Sequence, residues 1–216
     1  MKIGVFDSGR GGTTVLAAVK KRLPDLEYKY FADAENCPYG EKPLEVLYKI
    51  VCKHVETLKE WGASIIIVAC NTATVKCIDK LRMDYPDLVF VGVEPAVKMA
   101  LRSDAKKILV LATPNTINSE RLHLLTNQNK KDDQEVDFLA CPGLAETIEN
   151  YYDIDLDVVK TKLQDLLTKN DSYEVVVLGC THYPLVKDLI QEYYPNARLI
   201  DGADGVARRV EALVGV

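Results

Sequence analysis

Twice in this chain an apolar run of strand length ends on a cysteine followed by small polar residues. The first is Ser64-Ile65-Ile66-Ile67-Val68-Ala69-Cys70-Asn71-Thr72, and Glu174-Val175-Val176-Val177-Leu178-Gly179-Cys180-Thr181-His182 begins 110 positions later. Continuous rather than alternating apolar runs are what strands buried on both faces require, and such strands belong to parallel sheets covered by crossover helices. In those sheets the residues just past the carboxyl ends of the strands build the ligand sites. Two thiols in matched positions imply one reaction with two ends.

The rest of the chain keeps the same alternation. Strands are predicted at 2–6, 27–32, 64–70, 89–93, 107–112, 136–140, 175–179 and 198–200. Helices are predicted at 13–23, 43–61, 72–83, 95–101, 116–127, 144–151, 156–168, 184–194 and 204–213. Each buried parallel strand needs a crossover helix before the next can pair, so the fold class is α/β with parallel sheets. Asp7 precedes Cys70 by 63 residues and Thr113 precedes Cys180 by 67, the signature of a diverged internal repeat. Two pseudo-symmetric, doubly wound half-domains follow, with a cleft that brings their strand ends face to face.

Charge and composition exclude several classes. A net charge of −5, with no cluster of Lys and Arg interleaved with aromatics, leaves no footprint for nucleic acid or an anionic membrane. No apolar run approaches the ~20 residues of a membrane span, and the N-terminus reads as a strand rather than a signal peptide, so the cytoplasm is the expected compartment. Six cysteines without CxxC spacing resemble neither a disulfide framework nor a zinc site. Cys37, Cys52, Cys77 and Cys141 read as small buried hydrophobes. The loop Asp7-Ser8-Gly9-Arg10-Gly11-Gly12 lacks the order of a dinucleotide fingerprint, and its glycines serve turn geometry and close approach.

Four blocks, Ile3-Gly4-Val5-Phe6-Asp7-Ser8-Gly9-Arg10-Gly11-Gly12, Pro38-Tyr39-Gly40, Val68-Ala69-Cys70-Asn71-Thr72-Ala73-Thr74 and Leu178-Gly179-Cys180-Thr181-His182-Tyr183-Pro184-Leu185, span most of the chain. In order and spacing they resemble the signature blocks of the glutamate racemases, within the cofactor-independent aspartate/glutamate racemase superfamily. The resemblance implies half-domains of residues 1–97 plus 203–216, carrying Cys70, and 98–202, carrying Cys180. It implies conversion of L-glutamate to D-glutamate for peptidoglycan synthesis. No cofactor and no metal are implied. The expected partner is a small-molecule substrate, with a homodimer left open by the resemblance.

The chemistry fits the residues. Racemisation removes a proton from one face of Cα and returns one to the other, and one base cannot stand on both sides. Cysteine suits the task because its ordinary pKa of about 8.5 allows a thiolate and a thiol to coexist near neutrality. A thiol at the start of a helix also sits where N–H groups and the helix dipole lower its pKa, and the same N–H groups bind carboxylates. By resemblance, Cys70 exchanges the proton with the D enantiomer, assisted by Asp7, and Cys180 with the L enantiomer, assisted by His182 and Glu149, with Glu146 the runner-up. Asp7, Ser8, Tyr39, Gly40, Asn71, Thr72, Thr113, Thr116, Thr181 and His182 match substrate-contacting positions. His54 and His123 read as surface or packing residues.

The sequence departs from the family at Asn36, where an arginine is frequent, and at Leu122, where a tyrosine is frequent. Family members also continue beyond the helix after Ile200-Asp201-Gly202, whereas this sequence ends at Val216. The alternatives are aspartate or another amino acid as substrate, a weakly active binding or regulatory protein on the same fold, and a cysteine hydrolase using Cys180 with His182. The last leaves Cys70 unexplained.

Overall fold

A computed structural model describes residues 1–215; Val216, the last residue of the expected first half-domain, lies outside them. The strands β1 (Lys2–Asp7), β2 (Glu27–Ala32), β3 (Ile65–Val68) and β4 (Val89–Gly92) form one parallel sheet in the order β2-β1-β3-β4. The strands β5 (Lys107–Ala112), β6 (Glu135–Ala140), β7 (Val175–Leu178) and β8 (Arg198–Ile200) form a second, in the order β6-β5-β7-β8. The internal repeat is therefore a repeat of topology.

Strand alternation sorts the core into layers, because successive side chains point to opposite faces. In the first sheet Ile3, Val5, Ile65, Ile67 and Val91 face α1 (Thr13–Arg22), which adds Val15 and Val19. Phe6, Ile66, Val68 and Phe90 face the other way, against α2 (Leu44–Glu60) and α3 (Asn71–Asp84). The helix α2 presents Leu47, Val51, Val55 and Leu58, all fully buried, at the spacing of one helical stripe.

The second sheet is built alike. Ile108, Val110, Val175 and Val177 face α4 (Val97–Arg102) and, after the four-residue α5 (Pro114–Ile117), α6 (Glu120–Asn129). Leu109, Leu111, Val176 and Leu178 face α7 (Leu144–Tyr151), α8 (Leu156–Leu166) and α9 (Lys187–Gln191). The last helix, α10 (Ala203–Val214), returns to the first sheet, where Val206, Ala207 and Val210 join Val15 and Val19. Arg22 clasps it through Asp204 at 2.9 Å and Glu211 at 3.0 Å. The halves thus trade helices: α4 follows β4 but covers the second sheet, and α10 follows β8 but covers the first.

Two predicted helices are interrupted. The stretch 116–127 divides at Ser119, whose Oγ accepts from the Leu122 N–H at 3.3 Å and caps α6. The stretch 184–194 opens as a 3-10 turn over Tyr183–Val186, with Pro184 inside it. No helix among the described residues is long and apolar enough to cross a membrane.

Candidate active site

Strand register places the thiols. Phe6 pairs with Val68 and Leu111 with Leu178, so two steps further on Ser8 lies beside Cys70 and Thr113 beside Cys180. Ser8, not Asp7, is therefore the structural counterpart of Thr113, which corrects the alignment drawn from sequence spacing. Cys70 is the extended N-cap of α3 and its Sγ–H donates to Ser8 Oγ at 3.8 Å. Asp7 is wholly buried; its Oδ2 accepts from the Gly12 N–H at 2.6 Å and from the Thr181 hydroxyl at 3.2 Å. The second bond crosses from one half of the molecule to the other.

Around Cys180 a relay is assembled. His182 Nδ1 lies 3.7 Å from Cys180 Sγ, and His182 Nε2 lies 2.8 Å from Glu149 Oε2. A carboxylate only accepts, so Glu149 fixes the proton on Nε2 and leaves the Nδ1 lone pair facing the thiol. Glu149 itself sits on α7, where Oε2 also accepts the Arg10 N–H at 2.8 Å, again across the halves. Burial pushes its carboxyl up, but the His182 bond, the Arg10 N–H and their charges outweigh it and hold it below the usual carboxylate range. Of the two candidate glutamates, it is Glu149 that meets His182; Glu146 is exposed.

Burial changes the expected thiol chemistry. The N–H groups of Ala73 and Thr72 at Cys70, and that of His182 at Cys180, act in the anticipated direction, but removal from water dominates and both thiols lie well above their ordinary pKa. The Asp7 charge raises both further, and Cys70 itself adds to Cys180. Asp7 is raised as well: burial outweighs the nearby His182 and the N–H groups of Ser8 and Gly12. The expectation that helix N-termini depress these thiols is overturned by desolvation, the larger effect for a charge in a water-free site.

The remaining positions form the walls. Thr72 Oγ1 lies 2.9 Å from Thr113 Oγ1 and 3.3 Å from Thr116 Oγ1, a hydroxyl triangle shared by both halves. Thr113 also packs on Gly40, where any Cβ would come within 2.6 Å of its own. Asn71 Nδ2 donates to Val93 O at 3.0 Å, tying the end of β4 to the start of α3. A Cβ on Gly11 would fall 2.6 Å from the Thr181 carbonyl carbon, a backbone atom, so only hydrogen fits there, while one on Gly9 would fall 2.6 Å from Glu149 Cδ and displace that carboxylate.

Three features are not legible in the sequence. The Tyr39 hydroxyl is held by Asp33 Oδ2 at 2.6 Å, and the same carboxylate takes His54 Nε2 at 3.0 Å and Asn36 Nδ2 at 2.9 Å. His54 also stacks on Phe6 with ring centroids 5.7 Å apart, so it is a packing residue with a carboxylate partner. Arg10 ion-pairs with Asp153 and lies 3.9 Å from Glu149. Cys37, read as a buried hydrophobe, is only half-buried and lies in the cleft beside Glu149 and His182. A separate open groove of about 400 Å³, lined by Arg82, Glu94, Met99, Arg102 and Arg209, contains neither of the two matched thiols.

Two parallel sheets meeting strand end to strand end over a pair of thiols define a two-domain α/β architecture with a thiol-lined cleft. The family model described as Asp/Glu/Hydantoin racemase matches residues 12–210, and the chain belongs to that family. It is 41% identical over 218 residues to the glutamate racemase of Halothermothrix orenii, covering 99% of this chain and 85% of that protein. The glutamate racemase of Campylobacter concisus is 40% identical over 223 residues, covering 100% of this chain and 84% of its own. Among solved structures, the Escherichia coli glutamate racemase in complex with L-glutamate and the activator UDP-MurNAc-Ala superposes with a TM-score of 0.85 at 34% identity, over 99% of this chain and 82% of that one.

Proposed function

We propose that this chain racemises glutamate without a cofactor, by proton transfer between two cysteines across the cleft, and so supplies D-glutamate for peptidoglycan. One observation carries the reading: two buried thiols stand at matched strand ends of two halves, Cys180 3.7 Å from His182 Nδ1 and Cys70 3.8 Å from Ser8 Oγ within the field of the buried Asp7. In the L to D direction His182 Nδ1 takes the Cys180 proton, and the thiolate removes the Cα proton of L-glutamate. Cys70, still a thiol, returns its proton to the opposite face. The enzyme is left with a protonated Cys180, a protonated His182 and a Cys70 thiolate, the starting state for the reverse reaction; loss of the His182 proton to solvent and uptake of one by Cys70 restore the resting pair of thiols.

Both thiols are held up by burial, so the ligand has to help create the thiolate. The substrate ammonium entering between the sulfurs supplies a positive charge in a water-poor site, where it favours the thiolate strongly. The substrate carboxylates are read by Ser8, Asn71, Thr72, Thr113, Thr116 and Thr181, with the Tyr39-Gly40 turn closing one wall. The half-domains of this reading are residues 1–97 with 203–216, and residues 98–202. Glutamate as substrate is supported by the names of the relatives.

The test is incubation of the purified protein with L-glutamate in D₂O, following D-glutamate and Cα deuterium. The parent forms both. Cys70→Ser and Cys180→Ser each abolish racemisation while keeping the native circular dichroism, since a hydroxyl is far too weak an acid and base for either face. Near-native turnover in both directions by either variant sinks the two-thiol scheme, and exchange with aspartate alone moves the substrate.

A further inference from the structure

The proton-transfer scheme leaves one nucleophile of the cleft unused. Cys37 Sγ, a ring nitrogen of His182 and a carboxylate oxygen of Glu149 all lie within 4.8 Å of one another. Thiolate, imidazole and carboxylate are together a zinc donor set, with bonds of about 2.0–2.3 Å. Tetrahedral coordination with such bonds separates ligand atoms by roughly 3.3–3.8 Å, so closing the cluster requires side-chain movements of about an ångström. Three protein ligands leave a fourth position for water.

The surroundings favour a cation. Glu149 brings its own negative charge into the cluster, and a bound metal takes the place of the Cys37 thiol proton. The opposing charge, Arg10, pairs with Asp153 and lies 3.9 Å from Glu149 Oε2. Cys37 and Glu149 are partly exposed, 11% of the Glu149 side chain being accessible, which gives an ion a path to the buried His182. Cys37 belongs to the first sheet's half of the chain, Glu149 and His182 to the second's.

We propose that Cys37, Nε2 of His182 and Glu149 form a zinc(II) site whose occupation pins the two halves together and forces the His182 proton onto Nδ1, so that His182 no longer accepts the Cys180 proton and the ion inhibits the reaction. Metal binding stands apart from the racemase reading; the inhibition rests on it.

Two measurements separate these parts. Cobalt(II) chloride added to the purified protein produces a thiolate-to-cobalt charge-transfer band in the near ultraviolet. The band is lost in Cys37→Ser and in Cys37→Ala, and kept in Cys52→Ser. No band in the parent, or an equal band in the Cys37 variants, overturns the site, whatever the catalytic activity. Zinc sulfate then inhibits racemisation by the parent, and Cys37→Ser, active without metal, needs at least tenfold more zinc for half-inhibition. Equal sensitivity of the two proteins overturns the inhibitory role, because the ion is then acting on Cys70 or Cys180.

Discussion

Asp7 shows how the site sets function against stability. Its carboxyl is wholly buried and raised above its ordinary value of 3.8, chiefly by burial. Between pH 3.8 and that raised value the folded chain keeps a proton the unfolded chain has lost, so stability falls as pH rises through the window, and the loss persists above it. Asn carries no charge and still accepts from the Gly12 N–H. Asp7→Asn is therefore expected to gain roughly 1–2 kcal/mol at neutral pH while losing racemase activity, a trade common at functional sites. The gain vanishes below pH 3.8, where Asp7 is neutral in both states. Urea unfolding of parent and variant at the two pH values is the check; a destabilised variant at neutral pH means that the charge-assisted bonds to Gly12 and Thr181 outweigh burial. Cys70, Cys180 and His182 are legible in the sequence because each follows a recognisable strand. The thiol pKa direction is not, since it depends on how completely two halves exclude water. Cys37 and the Asp33–His54 pair escape notice because their partners lie on other elements.

At the scale of elements, the strands are the most legible: 27–32, 107–112 and 198–200 match β2, β5 and β8 in both bounds, because each apolar run is flanked by turn residues. Helix interruptions at Ser119 and Pro184 are not, because apolar spacing carries on through both. Two glycines on helical segments separate packing from propensity. Gly11, in the 3-10 turn that leads into α1, faces the Thr181 carbonyl carbon and the His182 nitrogen, backbone atoms that cannot rotate away. Gly11→Ala is expected to cost about 1–3 kcal/mol and to abolish activity by levering Asp7 and Thr181 apart. Gly205 is exposed on α10, and no atom lies within 4 Å of where a Cβ would stand, so Gly205→Ala is expected to stabilise by about 0.5–1 kcal/mol with activity kept. Thermal melts with parallel racemase assays decide both, and a neutral Gly11→Ala means the halves have slack where they meet.

For the whole molecule, the exchange of α4 and α10 matters most, and periodicity has no means of showing it: an apolar stripe says that a helix covers something, not which sheet. Each sheet needs a helix supplied from the other side of a crossing point to complete one of its two apolar layers. Arg121 on α6 adds a pair with Glu94 and a 2.8 Å contact with Asp79, and Asn115 donates to Lys42 O at 3.0 Å. With the chain crossing between the sheets at both traded helices and these contacts across the halves, the chain is expected to unfold in one cooperative step. The single tryptophan makes this measurable, since Trp61 lies at the end of α2 and reports only the first half. Leu163 is fully buried in the core of the second half, and Leu163→Ala is expected to cost about 2–5 kcal/mol. In urea, that loss should lower the midpoint seen by Trp61 fluorescence by roughly 1–2 M, and by the same amount as the midpoint seen by far-ultraviolet circular dichroism. A Trp61 transition that stays in place while the circular dichroism moves would show two independent domains joined only by a cleft, and the traded helices would then be a packing convenience rather than a coupling.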